Sequence, residues 1–196
     1  MLKTRFAVLV VLCLAVLVPG ASALGAAIQA RARSAPAAVA ARACGPTSMQ
    51  PRRNNLRLLA RVTLCLINRQ RAAHRLRALH ANASLTRAAS GHSQDMVNRG
   101  YFSHLNLLGV NPFQRILHDG YAARDRACAM GENIAAGTGR DSTPAAIVRM
   151  WMNSPEHRAN ILDGRYHDTG LGVAFGFPGA RGYRGATYTE DFGGHC

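Results

Sequence analysis

Three residues carry the side chains best suited to site chemistry: His104, Glu132 and His157. Two neutral imidazoles from distant parts of the chain could hold Zn²⁺ or Cu²⁺ at about 2.0–2.1 Å and leave positions open for water. Glu132 would then fix the tautomer of one histidine or accept a proton from that water. The alternative is that each histidine is a buried polar group whose hydrogen bonds hold a loop in place.

Standard catalytic motifs are absent from the sequence. There is no Gly-x-Ser-x-Gly elbow, no His-Glu-x-x-His and no P-loop, and the glycines at 170 and 172 do not extend to a dinucleotide-binding pattern. The sequence therefore offers no recognised nucleophile. This argues against an enzyme and leaves Glu132 as the candidate general base if there is one.

Five segments have the apolar spacing and end signals of helices. The first starts at Asn55 and has a basic outer face, and the second runs from about Ser84 to Arg99 and stops at Gly100. The other three open with a proline at the first helical position. They begin near residues 112, 144 and 155 and end before Gly120, at Met152 and at Leu162.

Strand signals are weaker and lie between and after these helices. They cover residues 133–135, 170–177 and 186–192, and the last two predict a hairpin across the loop 178–185. Several helices around a small, mainly antiparallel sheet indicate an α+β sandwich.

The N-terminus has the pattern of a secretory signal peptide. Lys3 and Arg5 precede an apolar run over residues 6–18, which is too short for a stable membrane span, and the small residues 21–23 follow it. We expect cleavage after Ala23 and a secreted or periplasmic protein with no transmembrane segment. A lipoprotein would use Cys13, but the apolar run continues past that residue.

The remaining chain divides into an arm and a domain. Residues 24–53 are rich in Ala, Arg, Ser and Pro without a sustained period, which predicts a flexible basic arm. Residues 54–196 are expected to form a single folded domain.

Positive charge is concentrated in the first half of the chain. The net charge is +14, residues 24–94 contain twelve arginines and no acid, and nine of the ten acids lie from Asp119 onward. An exported basic surface favours anionic lipid, wall polymer or lipopolysaccharide as a partner. Nucleic acid fits the charge but not the compartment. Codon composition alone would also yield an arginine-rich chain.

Four cysteines follow the signal peptide, an even number that predicts two disulfides in an exported chain. Three pairings are open. We favour Cys44 with Cys65, which would tie the arm to the first helix, and Cys128 with Cys196.

Seven short segments, taken in order, resemble the bacterial branch of the CAP superfamily, the SCP-like fold of cysteine-rich secretory proteins, venom allergens and plant pathogenesis-related proteins. The resemblance covers about residues 56–193. The segments are NRQRAAH (68–74), HSQDM (92–96), GYFSH (100–104), GENIAAG (131–137), WMNSPEHRANIL (151–162), GLGVAFG (170–176) and TYTEDFG (187–193).

The resemblance implies a three-layer α-β-α sandwich with a central cleft lined by His104, Glu132, His157 and a further acid. The position three residues after Trp151, where the animal and plant branch has that acid, is Ser154. Glu156 and Asp191 are the remaining candidates for this role. Asn133, beside the glutamate, and Asn160 are each expected to bond a backbone carbonyl near the cleft.

Three functions follow from these observations. The first is a non-enzymatic extracytoplasmic binding or signalling module that takes an unidentified small ligand in the cleft. The second is a metal-dependent, peptidase-like hydrolase using His104, His157 and Glu132, with zinc on the two histidines. The third is a basic structural protein of the cell envelope.

Overall fold

The computed structural model describes residues 44–121, 127–180 and 182–195. The described elements are five α-helices, four strands and one short 3₁₀ helix. In chain order they are α1 (Leu56–Ala73), β1 (His80–Ala81), α2 (Ala83–Arg99), α3 (Pro112–His118), β2 (Ala127–Thr138), the 3₁₀ helix (Gly139–Ser142), α4 (Pro144–Asn153), α5 (Pro155–Ile161), β3 (Asp168–Phe175) and β4 (Gly185–His195).

The strands form one sheet in the order β1-β3-β4-β2, so β2 lies at an edge. The β3–β4 and β2–β4 pairs are antiparallel, and the two-residue strand β1 pairs with β3 in parallel. The sheet is therefore mainly antiparallel, and the expected hairpin of β3 and β4 is confirmed. The parallel strand β1 was not predicted.

Helices cover both faces of the sheet, as the alternating side-chain directions along β3 show. A Cβ at Gly170 or Gly172 would stand 2.0 Å or 2.2 Å from the backbone of α2, so these two positions face α2 at very short range. Leu171 points the other way, into the apolar core beneath α1 and α4. The predicted three-layer α-β-α sandwich is confirmed.

The larger core lies between the sheet and helices α1, α4 and α5. Trp151 is fully buried there and donates from its indole nitrogen to the carbonyl of Ile134 at 3.1 Å. Its role is therefore packing, as expected of the only tryptophan in the chain.

The edge strand β2 is much longer than the three residues predicted. Its sequence, ACAMGENIAAGT, is rich in Ala and Gly, which have low strand propensity, so pattern reading detected only its centre. A Cβ at Gly137 would lie 2.3 Å from the carbonyl oxygen of Asp141. Glycine there permits the tight entry into the 3₁₀ helix.

The last ten residues of the predicted arm contact the domain. Cys44 is disulfide-bonded to Cys65 on α1, which confirms one predicted pair. Met49 packs against the core, and the amide of Ala145 donates to the carbonyl of Thr47 at 3.0 Å. These contacts attach residues 44–53 to the sandwich.

Replacing Cys44 and Cys65 together by serine is expected to lower the free energy of unfolding by about 3 kcal/mol. The two cysteines are 21 positions apart, and a cross-link of that span removes about this much chain entropy from the unfolded state. Urea unfolding of the oxidised protein and of the double serine variant measures the difference. Equal midpoints and slopes for the two proteins would contradict the prediction.

Other sequence predictions fall outside the described residues. They are the signal peptide, residues 24–43 of the arm, and Cys196 with its predicted bond to Cys128. No helix in the described ranges is long and apolar enough to cross a membrane.

Candidate functional site

The segment that carries His104 is held against α2 by two side chains of that helix. The helix ends at Gly100, whose left-handed φ of 73° turns the chain back. The tyrosine hydroxyl of Tyr101 then donates to Asp95, and Nε2 of His92 donates to the carbonyl of Ser103 at 2.9 Å. Burial lowers the pKa of His92, so a neutral ring with its proton on Nε2 makes this bond.

Helix α3 places an arginine in the site. Asn111 and Gln114 form a reciprocal capping box at its start. One turn in, Arg115 donates from Nη1 to the carbonyls of His104 and Val110, at 2.9 Å each. The arginine therefore fixes the backbone on which His104 sits.

Glu132 is the centre of the site, and both of its carboxylate oxygens are engaged. Oε1 lies 2.7 Å from Nδ1 of His104, and Oε2 accepts from Nη2 of Arg115 at 2.6 Å. The glutamate side chain is 1% exposed, whereas that of His104 is 48% exposed. The ring of His104 is thus the solvent-facing part of a buried His-Glu-Arg cluster.

Asp191 lies directly across the sheet from Glu132. The two are register partners of β2 and β4, so their side chains share the face covered by α2. Burial and the negative charge of Glu132 raise the pKa of Asp191 well above its usual range, and a hydrogen bond with Glu132 adds to the rise. Neither Asp191 oxygen has a donor in the described structure, as expected where one carboxyl group faces another. Burial beside a second carboxyl group therefore favours the protonated form of Asp191.

His157 reaches the same edge of the sheet from the opposite layer. Its carbonyl accepts from Asn133 at 3.1 Å, and Asn160, also on α5, donates to the carbonyl of Glu132 at 3.2 Å. The expectation that both asparagines bond backbone carbonyls is confirmed. These bonds dock α5 onto strand β2 beside Glu132.

His157 and His104 are close enough to interact electrostatically. Burial lowers the pKa of His157, and the charge of His104 lowers it further. Nδ1 of His157 is buried and has no hydrogen-bond partner in the described part of the chain. A buried unpaired ring nitrogen is costly, which suggests a position prepared for a ligand atom or a water.

The other two residues considered for the fourth acid lie differently. Ser154 begins α5 without a side-chain capping bond. Glu156 is exposed, and its charge raises the pKa of His157 without an ion pair or hydrogen bond in the described residues. Of the acids proposed for this role, Asp191 is the one that faces Glu132.

The arrangement does not favour zinc. No three His, Cys, Asp or Glu side chains in the described segments are placed to hold a metal ion. In addition, Arg115 already supplies a positive charge 2.6 Å from Glu132. Zinc bound by His104 and His157 therefore stays a prediction.

Sequence reasoning missed Arg115 and the positioning role of His92. The fourth group of the site was expected to be an acid, whereas the chain supplies a cation, Arg115, in the short helix that follows His104. The one available signal was the Asn111-Pro112 helix start, which places Arg115 one turn into α3.

Comparison with known proteins points to one family. The family model described as CAP, the cysteine-rich secretory protein family, matches residues 64–188. The uncharacterized protein YkwD of Bacillus subtilis is 35% identical over 107 residues, which is 55% of this chain and 39% of that protein. The match thus spans well under half of the relative's length.

Two solved structures share the fold. An extracellular protein containing an SCP domain from Bacillus anthracis aligns with a TM-score of 0.55 and 26% identity, over 72% of this chain and 40% of its own. An outer surface protein from Borrelia burgdorferi aligns with a TM-score of 0.59 over 76% of this chain and 99% of its own. At 17% identity, the second match shows the fold alone.

Proposed function

We propose, because this chain belongs to the cysteine-rich secretory protein (CAP) family, that it is an extracytoplasmic binding or signalling module. Its ligand would sit against His104 and His157 without being chemically changed. The export signal predicted from the sequence and the extracellular SCP-domain protein of Bacillus anthracis support the location.

One observation carries the proposal: both oxygens of Glu132 are occupied. Oε1 contacts His104 and Oε2 contacts Arg115, so the carboxylate has no oxygen directed at a substrate. What the site presents to solvent is the ring of His104. The unpaired Nδ1 of His157 is buried within electrostatic range of it. The ring N–H of an imidazole can donate to a ligand that carries a carboxylate or another anionic group.

Disaccharide-peptide fragments of a bacterial cell wall are a suitable probe, because they carry several carboxylates and belong to the expected compartment. We expect calorimetry to detect binding and NMR to show shifts of the ring protons of His104 and His157. The His157→Ala variant is expected to bind at least about tenfold more weakly, the effect of losing one hydrogen bond to a charged group. The fragment recovered afterwards should be intact.

His167→Ala is the matched control, because His167 is exposed and makes no side-chain contact with the site in the described structure. Equal binding by the wild type and both alanine variants would show that the cleft is not the binding site. Release of a shorter fragment by the wild type, and not by His104→Ala, would replace the binding module by an enzyme.

The contact between His104 and Glu132 is what favours that second candidate, a hydrolase. A carboxylate 2.7 Å from Nδ1 orients the ring and leaves Nε2 as the proton acceptor, so the general base would be His104 and Glu132 its orienting partner. A hydrolase of this kind would attack with a water molecule, since no nucleophile is in contact with His104 in the described residues.

The third candidate, an envelope protein retained by charge, rests on the basic outer face of α1. Arg57 and Arg61 are exposed there. Binding to anionic vesicles that disappears at high salt and persists in His104→Ala would favour this role over the cleft.

A further inference from the structure

A second concave surface lies away from the His104 cluster. It is a groove of about 1110 Å³, larger than most small-ligand sites. Three segments form its walls: residues 51–53 ahead of α1, the last turn of α2, and the loop that joins β3 to β4. None of His104, Glu132, His157 and Asp191 lines it, so a ligand there would not occupy the proposed cleft.

Among the described residues, four arginines and no acid line this groove. Arg52 and Arg53 come from the first segment, Arg99 from α2 and Arg184 from the hairpin loop. Only Arg99 has a carboxylate within salt-bridge range in the described residues, Asp95 at 3.7 Å. The charges therefore add up to a strongly positive surface, although the C-terminal end of α2 contributes some opposing partial negative charge.

Aromatic rings line the same groove as these arginines. The groove contains Phe175, Phe177 and Tyr183, and Tyr183 is 64% exposed. The guanidinium carbon of Arg53 lies 5.1 Å from the ring centre of Phe175, a cation-π contact that holds this arginine over the ring. The groove thus presents the flat faces of aromatic rings next to guanidinium cations.

Glycines shape the hairpin side of the groove. Gly176 has φ 131°, and a Cβ there would lie 2.7 Å from a methyl of Val97 on α2. Gly179 packs against Gly100 at the end of α2, and both have left-handed φ angles. Close contact between the loop and the helix end holds the two walls together before any ligand binds.

We propose that this groove binds an anionic glycan, a sugar chain that carries carboxylate or phosphate groups. Guanidinium groups pair with either anion in a bidentate manner, and exposed rings pack on the apolar faces of sugars. An acyl chain is a poorer fit, because the groove is open and four arginines line it together with the aromatic rings. The groove's volume of about 1110 Å³ suits several sugar units, since a single phosphate would leave most of it empty.

Calorimetry with tetragalacturonate, which carries one carboxylate per ring, tests this inference, and neutral maltotetraose is the matched sugar. We expect binding of the acidic tetramer alone. Arg53→Ala/Arg184→Ala should weaken it at least about tenfold, since two charge-assisted contacts are lost. Tyr183→Ala, which changes no charge, should weaken it several-fold by removing the stacking ring.

Controls separate this site from general attraction to a basic protein. Arg57→Ala/Arg61→Ala removes the same charge from the exposed face of α1 and should leave the affinity within about twofold. An equal loss in both double variants would overturn the proposal, as would binding that disappears in His104→Ala. Short-chain phosphatidylglycerol that displaces the tetramer at lower concentration would assign the groove to a lipid instead. Unchanged thermal unfolding of the variants, whose replaced side chains are exposed, confirms intact folding.

Discussion

Replacing Arg71 by methionine is expected to lower the free energy of unfolding by about 4 kcal/mol. Arg71 is 1% exposed, and its guanidinium donates four hydrogen bonds to backbone carbonyls. The acceptors are Arg77 at 2.8 Å, Ile161 at 2.7 Å, Asp163 at 2.9 Å and Tyr166 at 3.1 Å. Methionine fills the space but leaves these carbonyls unpaired, at about 1–3 kcal/mol for each one that water cannot reach.

Urea unfolding of wild type and Arg71→Met measures this loss, and Arg61→Met on the exposed face of α1 is the matched control. We expect Arg61→Met to change the free energy of unfolding by less than about 0.5 kcal/mol. A loss below about 1 kcal/mol in Arg71→Met would mean that water replaces the guanidinium at those carbonyls.

Arg71 also connects stability with the candidate site. Two of its acceptors, Ile161 and Asp163, lie at and just beyond the end of α5, the helix that carries His157 and Asn160. Loss of Arg71 should therefore loosen α5 before the whole domain unfolds. Hydrogen exchange at the amides of α5 would show this as lower protection than at α2.

Local sequence signals were sufficient to predict the helices of this fold. The Asn111-Pro112, Thr143-Pro144 and Ser154-Pro155 pairs each mark a helix start, because proline at the first helical position lacks only an N–H that would have no partner there. Gly100 ends α2 in the left-handed conformation that its position suggested. Such signals act within a few residues and can be read from the chain itself.

The full length of the strands and the ion pair of the site could not be predicted from local sequence, because both depend on tertiary contacts. Strand β2 has weak propensity and is held by its pairing with β4 over nearly its whole length. The contact of Arg115 with Glu132 joins residues 17 positions apart, in different elements, and no local pattern encodes it. His104, Glu132 and His157 were identified from the order of the sequence motifs, whereas the role of Arg115 is visible only in the folded structure.

Glu190, a buried acid on the face of β4 opposite to Asp191, leads to a prediction of how stability depends on pH. Glu190 is fully buried, and burial raises its pKa to about 8, against the opposing effects of Thr169 and the charge of Arg71. In the unfolded chain the same carboxyl loses its proton near pH 4.5. Between these values the folded form must hold a proton that the unfolded form releases.

The stability contributed by Glu190 is therefore complete below about pH 4.5 and is lost as the pH rises toward about 8. The full loss is on the order of 5 kcal/mol, because the pKa differs by about 3.5 units between the two states and one unit is worth about 1.4 kcal/mol. Glu190→Gln has no proton to release, so its stability relative to wild type should increase steadily across this window and then level off.

Urea unfolding of both proteins at pH 5, 6, 7, 8 and 9 gives that difference directly. Asp163, with its lowered pKa, is present in both proteins and cancels in the comparison. The pKa of Asp191 is raised in part by the charge of Glu190, so its contribution is included in the measured difference. A difference that stays constant with pH would mean that Glu190 is ionised in the folded state at neutral pH. In that case its charge would have to be balanced by Arg71, and Arg71→Met would then destabilise wild type far more than it destabilises Glu190→Gln.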